Sequence, residues 1–286
     1  MDGFLFVDKP SGPTSFDVVR QVRRALGGEK TGHAGTLDPL ASGLLVCALG
    51  SATRLLPYLP SEPKRYAFGM RFGIETDTLD SEGAMVAQGG HTPGREELQA
   101  TLGRFTGVVR QTPPKFSAVK VNGERAYDLA RKHLEFEIAE REVTVFSLVL
   151  VSYDGANAGA ALEVVCSGGT YVRSLVQDIA HALGTLAYAS FIRRLAIGPF
   201  TVDNAITMDS AKDLREHIMP VKQALSSLPS VMVNLSQCET LEKGRSVKLD
   251  TTEQTVIAYT ENGDVAAVLK KNDEGMYHPE KVFIKV

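Results

Sequence analysis

The run GLLVCALG, residues 43–50, constrains the fold more than any other stretch of the chain. It is continuously apolar and of strand length, so it has no side to present to water. It therefore predicts a strand at the centre of a sheet, covered on both faces. FLFVD at 4–8, KRYAFGMRFG at 64–73, VTVFSLVLVSYD at 143–154, ALEVVCSGG at 161–169 and FIRRLAIGPF at 191–200 read as its companions. Val18, Val19, Val22 and Leu26 fall at helical spacing, in a helix that Thr14 or Ser15 caps and Gly27-Gly28 stops, with its arginines on the outer face. Ser51 caps a short helix over ATRLLPYL, residues 94–106 form an amphipathic helix, and 169–184 starts as strand and becomes helix. No GxGxxG or GxxxxGKS loop accompanies these elements, so no nucleotide cofactor is indicated.

With 286 residues, the chain is longer than a typical single domain. A small polar linker, ALSSLPSV, puts a boundary near 225–230. Beyond it VMVNL, SVKL, TVIAYTENGDVAAVLKK and KVFIKV read as short strands parted by turns, with ENGD as a hairpin, which fits a small β-barrel or sandwich. The start MDGFLFVDKP lacks the basic opening of a signal peptide, and no segment approaches the roughly 18 apolar residues of a membrane helix, so a cytoplasmic protein is expected. Cys47, Cys166 and Cys238 are odd in number, far apart and without a CxxC, which indicates buried small side chains and neither a disulfide framework nor a zinc site.

The net charge of −3 conceals an uneven distribution. Residues 101–133 hold seven basic side chains, among them Lys115, Lys120, Arg125, Arg131 and Lys132, against two acidic ones. Arg20, Arg23, Arg24 and Lys30 form another cluster. Patches of this kind can grip phosphates on a molecule that is acidic elsewhere. The segment from 111 to 132 reads as an extended arm broken by Pro113 and Pro114, a turn at Asn122-Gly123 and a basic helix.

One carboxylate stands out in GHAGTLDP, residues 32–39, which reads as a loop. An Asp before Pro often starts a turn or caps a helix. Here, however, Asp38 and His33 are surrounded by Gly32, Ala34, Gly35 and Gly43, small residues that would let a planar ligand approach the backbone.

GHAGTLDPLASGLLVCALGSATRL resembles, residue for residue, the signature of the TruB family of tRNA pseudouridine synthases. DKPSGPTSFDVV at 8–19, KRYAF at 64–68, PPKFSAVKVNGERAYDLAR at 113–131, GTYVRSL at 169–175 and FIRRLAIGPF at 191–200 are similar to its other motifs, in order and over nearly the whole chain. The resemblance implies a mixed α/β (α+β) catalytic domain around a mainly antiparallel central sheet at 1–227, including an RNA-gripping insertion at about 104–142. A small PUA-like β-barrel follows at 228–286. The activity implied is conversion of uridine to pseudouridine at position 55 in the tRNA T-loop, by a cytoplasmic enzyme, a monomer with no obligate protein partner and no membrane. This isomerisation neither gains nor loses atoms, so no redox cofactor, nucleotide or metal is expected.

On the same resemblance Asp38 is the nucleophile that holds the sugar or the base, and Arg173 is the cation that keeps it ionised in a water-poor pocket. Tyr66 stacks on the everted base and serves in proton removal. Tyr171 and Ile192 wall the uracil site, Ile standing where the family more usually has Leu. His33 contacts RNA, with general-base catalysis as the competing role. Lys9 and Pro10 shape the core. Lys115, Lys120, Arg125, Arg131 and Lys132, with Arg20, Arg23 and Arg24, would hold phosphates. The C-terminal part, with seven basic and nine acidic residues, is expected to add affinity only. Rival readings are a non-catalytic tRNA-folding factor, a guide-RNA-dependent ribosomal RNA relative, against which the insertion argues, and a hydrolase using His33 and Asp38, which lacks a nucleophilic Ser or Cys motif.

Overall fold

The computed structural model describes residues 2–132, 134–209 and 213–284; the last two residues of KVFIKV lie outside the described residues. The first half of the chain forms β1 (Gly3–Lys9), α1 (Ser15–Ala25), β2 (Thr31–Ala34), β3 (Ser42–Leu49), β4 (Lys64–Phe72), β5 (Ile74–Thr76), β6 (Met85–Gln88), α2 (Arg95–Leu102) and β7 (Gly107–Gln111). The segment after β7 holds β8 (Lys120–Val121), β9 (Glu124–Arg125) and α3 (Ala126–Arg131). Then come β10 (Arg141–Asp154), β11 (Gly159–Cys166), α4 (Val172–Ala182), β12 (Ala187–Ile197), β13 (Phe200–Thr201) and α5 (Val221–Ala224). The chain finishes with β14 (Ser230–Met232), α6 (Leu235–Glu242), β15 (Thr255–Tyr259), β16 (Val265–Lys271) and β17 (Tyr277–Val282).

A nine-stranded sheet runs β1-β3-β12-β4-β11-β10-β7, with β2 joined to β3 and β13 to β12. Its pairings are antiparallel except for the short parallel contact of β12 with β3, so the fold is mixed α/β with a mainly antiparallel sheet. The apolar run lies where its composition requires. Leu45, Cys47 and Leu49 of β3 pack against Val18, Val19 and Val22 of α1. The intervening Leu44, Val46 and Ala48 pack on the other face with Phe4, Phe6, Leu55 and Ile197. Each fully buried Leu contributes about 1.5–3 kcal/mol, so β3 anchors two cores at once. The other half of the sheet buries Phe68, Met70, Leu162 and Val164 under Leu175, Val176 and Ile179 of α4 and Leu98 of α2.

Local chemistry sets the ends of these elements. Thr14 caps α1, its hydroxyl accepting from the Asp17 N–H while the Asp17 carboxylate accepts from the Thr14 N–H. Asn122 at φ 51° and Gly123 at φ 90° supply the two left-handed residues of a tight β8–β9 turn. Elsewhere the expectation needs correction. Residues 31–34 are a strand paired with β3 and only 35–41 form a loop. The helix after β3 is a 3₁₀ helix, Gly50–Tyr58, without a side-chain cap; the Ser51 N–H instead donates to Asp2 at 2.6 Å. The helix from 94 turns to 3₁₀ at Gly103–Phe105. Residues 169–171 pair with no strand, and Tyr171 is the N-cap of α4.

Residues from Ser230 form a four-stranded sheet, β14-β15-β16-β17. SVKL makes only the single bridge Val247–Tyr277. Helix α6 was not anticipated, although Asn234 and Gln237 give it a capping box. Ile257, Tyr259 and Val268 share a core with Phe4 and Phe6. No helix among the described residues is long and apolar enough to cross a membrane.

Candidate active site

The Asp38 loop is clamped from below. Ser15, the first residue of α1, accepts from the Leu37 N–H at 2.8 Å and donates to the Leu37 carbonyl at 3.0 Å, in buried surroundings. Lys9, fully buried, donates to the carbonyls of Pro10, Pro13 and Pro39, so its role in shaping the core is visible as a tie between the turn after β1 and the residue next to Asp38. Burial lowers its pKa to about 8, with Glu82 and Asp38 opposing.

Arg173 lies in the first turn of α4, and its Nη2 is 2.8 Å from Asp38 Oδ2. The guanidinium is 4 % exposed and is held by the carbonyls of Thr78 and Phe116, at 2.8 and 2.9 Å, and by Asp80 Oδ2 at 3.5 Å. Asp80 is itself buried and accepts from the Thr78 hydroxyl and the Glu82 N–H. One buried cation thus serves a fixed carboxylate, Asp80, and an accessible one, Asp38. Asp38 has 39 % of its side chain exposed, more than a water-poor pocket would allow, so any shelter for it must come from the bound substrate.

Above this pair is a cavity of about 280 Å³ whose walls include Asp38, Tyr66, Tyr171, Arg173 and Ile192. Tyr66 comes from β4, Ile192 from β12 and Tyr171 from the start of α4. Tyr66 is buried, and burial raises its pKa, with Arg194 opposing. A phenol of this kind is neutral at physiological pH. The Arg141 guanidinium stacks on Tyr171 with its carbon 4.7 Å from the ring centroid, and donates to the Gly169 carbonyl.

His33 is not among the residues lining this cavity. It sits half-buried in β2, opposite Cys47, with Nδ1 buried and unpartnered among the described residues. Burial lowers its pKa, with Arg194 contributing, so the ring is neutral at pH 7. The glycines near it have a different use from the one expected. A Cβ on Gly43 would come within 2.2 Å of the Arg194 carbonyl oxygen, and one on Gly35 within 3.3 Å of Arg194 Nη1, while Gly32 faces Leu56. Gly43 and Gly32 thus make room for the protein's own arginine and leucine, while Gly35, besides accommodating Arg194, also lines the cavity.

Of the basic residues, Arg125 and Arg131 line a groove of about 370 Å³ that shares Asp38 and Arg173 with the cavity. Both lie near the Tyr127 ring, at 5.9 and 5.4 Å. Lys115 borders a neighbouring groove. Lys120, Arg23 and Arg24 are exposed and line neither, Lys132 pairs with Glu124 at 3.1 Å, and Arg20 with Asp17 at 3.8 Å. Sequence reasoning missed Asp80, Arg141, Lys64 and Arg194, all at the site. For Arg194 a signal was available: in a strand, residues two apart share a face, so Ile192 facing the cavity places Arg194 there too.

Comparisons with known proteins place the chain in a family. The family described as TruB family pseudouridylate synthase (N terminal domain) matches residues 23–172. A tRNA pseudouridine synthase B of Caulobacter vibrioides is 39% identical over 99% of this chain and 96% of its own length. A protein of the same name from Cereibacter sphaeroides is 40% identical over 99% and 96%. Among solved structures, a chain of a Cbf5-Nop10-Gar1 complex is 26% identical with a TM-score of 0.73, over 99% of this chain and 85% of that one. The chain is a member of the TruB family of pseudouridylate synthases.

Proposed function

We propose that this chain converts uridine to pseudouridine in tRNA, at position 55 in the T-loop, with Asp38 as the nucleophile. The observation that carries the reading is the 2.8 Å contact of Asp38 with buried Arg173, at a cavity walled by Tyr66, Tyr171 and Ile192. The reaction detaches uracil from the ribose C1′, turns it and rejoins it through C5. A carboxylate that is ionised and reachable can hold the sugar at C1′, or the base at C6, while the glycosidic bond is open. Arg173, fixed by two backbone carbonyls and Asp80, holds the Asp38 carboxylate in place with its positive charge 2.8 Å away. The target base has to leave its stack to reach the cavity, and Tyr66 and Tyr171 offer it aromatic surface.

The likeness to proteins named tRNA pseudouridine synthase B, at about 40% identity over almost the full length, supports tRNA as the substrate. We read 1–227 as the catalytic domain with its insertion at about 104–142, and 228–286 as a PUA-like module that adds affinity. The enzyme acts in the cytoplasm on the T-arm, as a monomer without an obligate protein partner. Arg125 and Arg131 on the groove beside Asp38 support an RNA grip by the insertion, with phosphate contacts that position the RNA and base contacts that specify it.

Incubating the protein with an unmodified tRNA transcript and mapping pseudouridine tests the reading. Conversion at a single T-loop uridine is expected, with no guide RNA added. Asp38→Asn should lose at least about 1000-fold in turnover and keep its affinity for the transcript. An Asn variant as fast as the parent would remove the nucleophile from the mechanism, and a transcript left unmodified by the parent chain would favour a folding factor or a guide-dependent enzyme.

A further inference from the structure

Arg194 is 1 % exposed, the largest of the fully buried side chains, and among the described residues no carboxylate lies within 4 Å of it. A cation stripped of water is costly unless its N–H groups find acceptors or a negative charge. Its Nε donates to the Leu44 carbonyl at 2.8 Å, Nη2 to Gly35 at 2.7 Å and Nη1 to Thr36 at 3.5 Å. These acceptors are neutral, and they leave one N–H on each terminal nitrogen. The register of β12 on β4 puts Arg194 directly beside Tyr66 on the same face of the sheet, and both residues line the cavity. The same side chain therefore bonds to the loop that carries Asp38 and lies next to the tyrosine in the cavity wall.

We propose that Arg194 is a positioning residue whose counter-ion is made during the reaction: the phenolate of Tyr66. This inference rests on the isomerase reading above. Pseudouridine formation moves one proton, from C5 to N1, and the chemistry can be balanced with Tyr66 alone. Written for an adduct of Asp38 at C1′, the carboxylate attacks C1′ and the C1′–N1 bond breaks, its electron pair going to N1. The Tyr66 hydroxyl gives its proton to N1 and becomes a phenolate facing Arg194. Half a turn of uracil about its N3–C6 axis brings C5 to the place N1 had held. The C5–C6 electron pair then forms the bond to C1′ and the carboxylate leaves. The phenolate takes the C5 proton, and the C–H pair restores the C5–C6 double bond. One oxygen suffices because N1 and C5 occupy the same place in turn. A phenol raised in pKa by burial cannot hold the intermediate charge unaided, and a dry cation without a carboxylate partner is what such a charge requires.

The test is single-turnover conversion of a T-arm transcript whose target uridine carries hydrogen or deuterium at C5, by the parent chain, Arg194→Lys, Tyr66→Phe and the double variant. The parent should show an isotope effect near one. In Arg194→Lys the rate should fall by roughly 10-fold or more and an isotope effect of about 2 or more should emerge, because removal of the C5 proton has become slow. A purely structural defect slows the reaction without exposing that step. In the Tyr66→Phe background the arginine change should add little further loss. A slow Arg194→Lys with an isotope effect of one, or losses that simply multiply, would overturn the inference. If circular dichroism finds Arg194→Lys unfolded, 3-fluorotyrosine at position 66 carries the test, since its phenolate is a weaker base; an isotope effect that stays at one overturns the relay. Failure of the isomerase reading looks different, since the parent chain then makes no product at all.

Discussion

Arg173 and Arg194 sit in the wall of the cavity with 4 % and 1 % exposure, whereas Arg125, Arg131, Lys115 and Lys120 stand in solvent on the insertion beside it. The two groups carry the same charge to opposite ends. The buried pair is fixed by carbonyls, at 2.7 to 3.5 Å, so its field points at a defined place before any substrate arrives. Such preorganisation is what transition-state stabilisation needs. The exposed set pays little in desolvation, is screened by salt and can follow a flexible backbone. Chemistry should therefore fail when the wall is altered, and affinity when the insertion is altered.

The sharpest way to break that division is through Asp80, which touches Arg173 and does not line the cavity. Asp80→Asn keeps the shape and removes the charge, leaving Asp38 as the one carboxylate on Arg173 among the described residues. Under the proposed mechanism the closer pairing would make Asp38 a poorer nucleophile, while loss of the Asp80 tie would loosen the aim of Arg173. We expect kcat to fall about 10- to 100-fold, roughly 1.4–2.7 kcal/mol of barrier, with KM nearly unchanged. Steady-state kinetics on a T-arm transcript measures both constants. A change confined to KM would mean that the buried network serves binding and that the division is wrong.

Arg125→Ala and Arg131→Ala make the converse case, with a smaller effect. Each should raise KM by roughly 3- to 10-fold and leave kcat within about 2-fold, and each lost phosphate contact should flatten the dependence of log K on log salt by about 0.7–0.9. Titration of binding between low and moderate salt decides it. An unchanged slope would assign the two arginines to their stacking near Tyr127 and not to RNA.

What was legible in the sequence follows the same division. Asp38, Tyr66 and Arg173 stand in short contiguous words, GTLDP, KRYAF and GTYVR, and β3 announced itself because eight apolar residues in a row have only one comfortable place. Asp80 and Arg194 were hidden because their importance comes from pairing across strands and loops far apart in the chain: Arg194 meets Tyr66 through register, and Asp80 meets Arg173 across 93 positions. The second use of Gly35 and Gly43 was hidden for the same reason, since the side chain or backbone they accommodate is that of Arg194, about 150 positions further along the chain. His33 looked like a loop residue because a four-residue edge strand among glycines has no period to detect.

The smallest expected effect concerns a half-buried carboxylate in α4 that pairs with no basic group among the described residues. Asp178 shares that helix with Arg173, yet among the described residues no basic group pairs with it within 4 Å. Burial, with Glu140 adding to it and His181 opposing, raises its pKa from 3.8 to about 6. In that window the folded state binds the proton that the unfolded chain has lost, so stability falls as pH rises from about 4 to 6 and stays lower above it. The full shift corresponds to about 3 kcal/mol, which partial solvent access reduces to roughly 1–2 kcal/mol. Asp178→Asn should therefore be more stable than the parent by that amount at pH 7, and the two should converge below about pH 4, as read by urea unfolding at both pH values. Turnover should be unaffected, because Asp178 touches neither cavity nor groove. An Asn variant that is no more stable at pH 7 would mean that a half-buried charge on this helix can be tolerated without a partner, and the fixing of Arg173 by Asp80 would then have to be explained by aim alone.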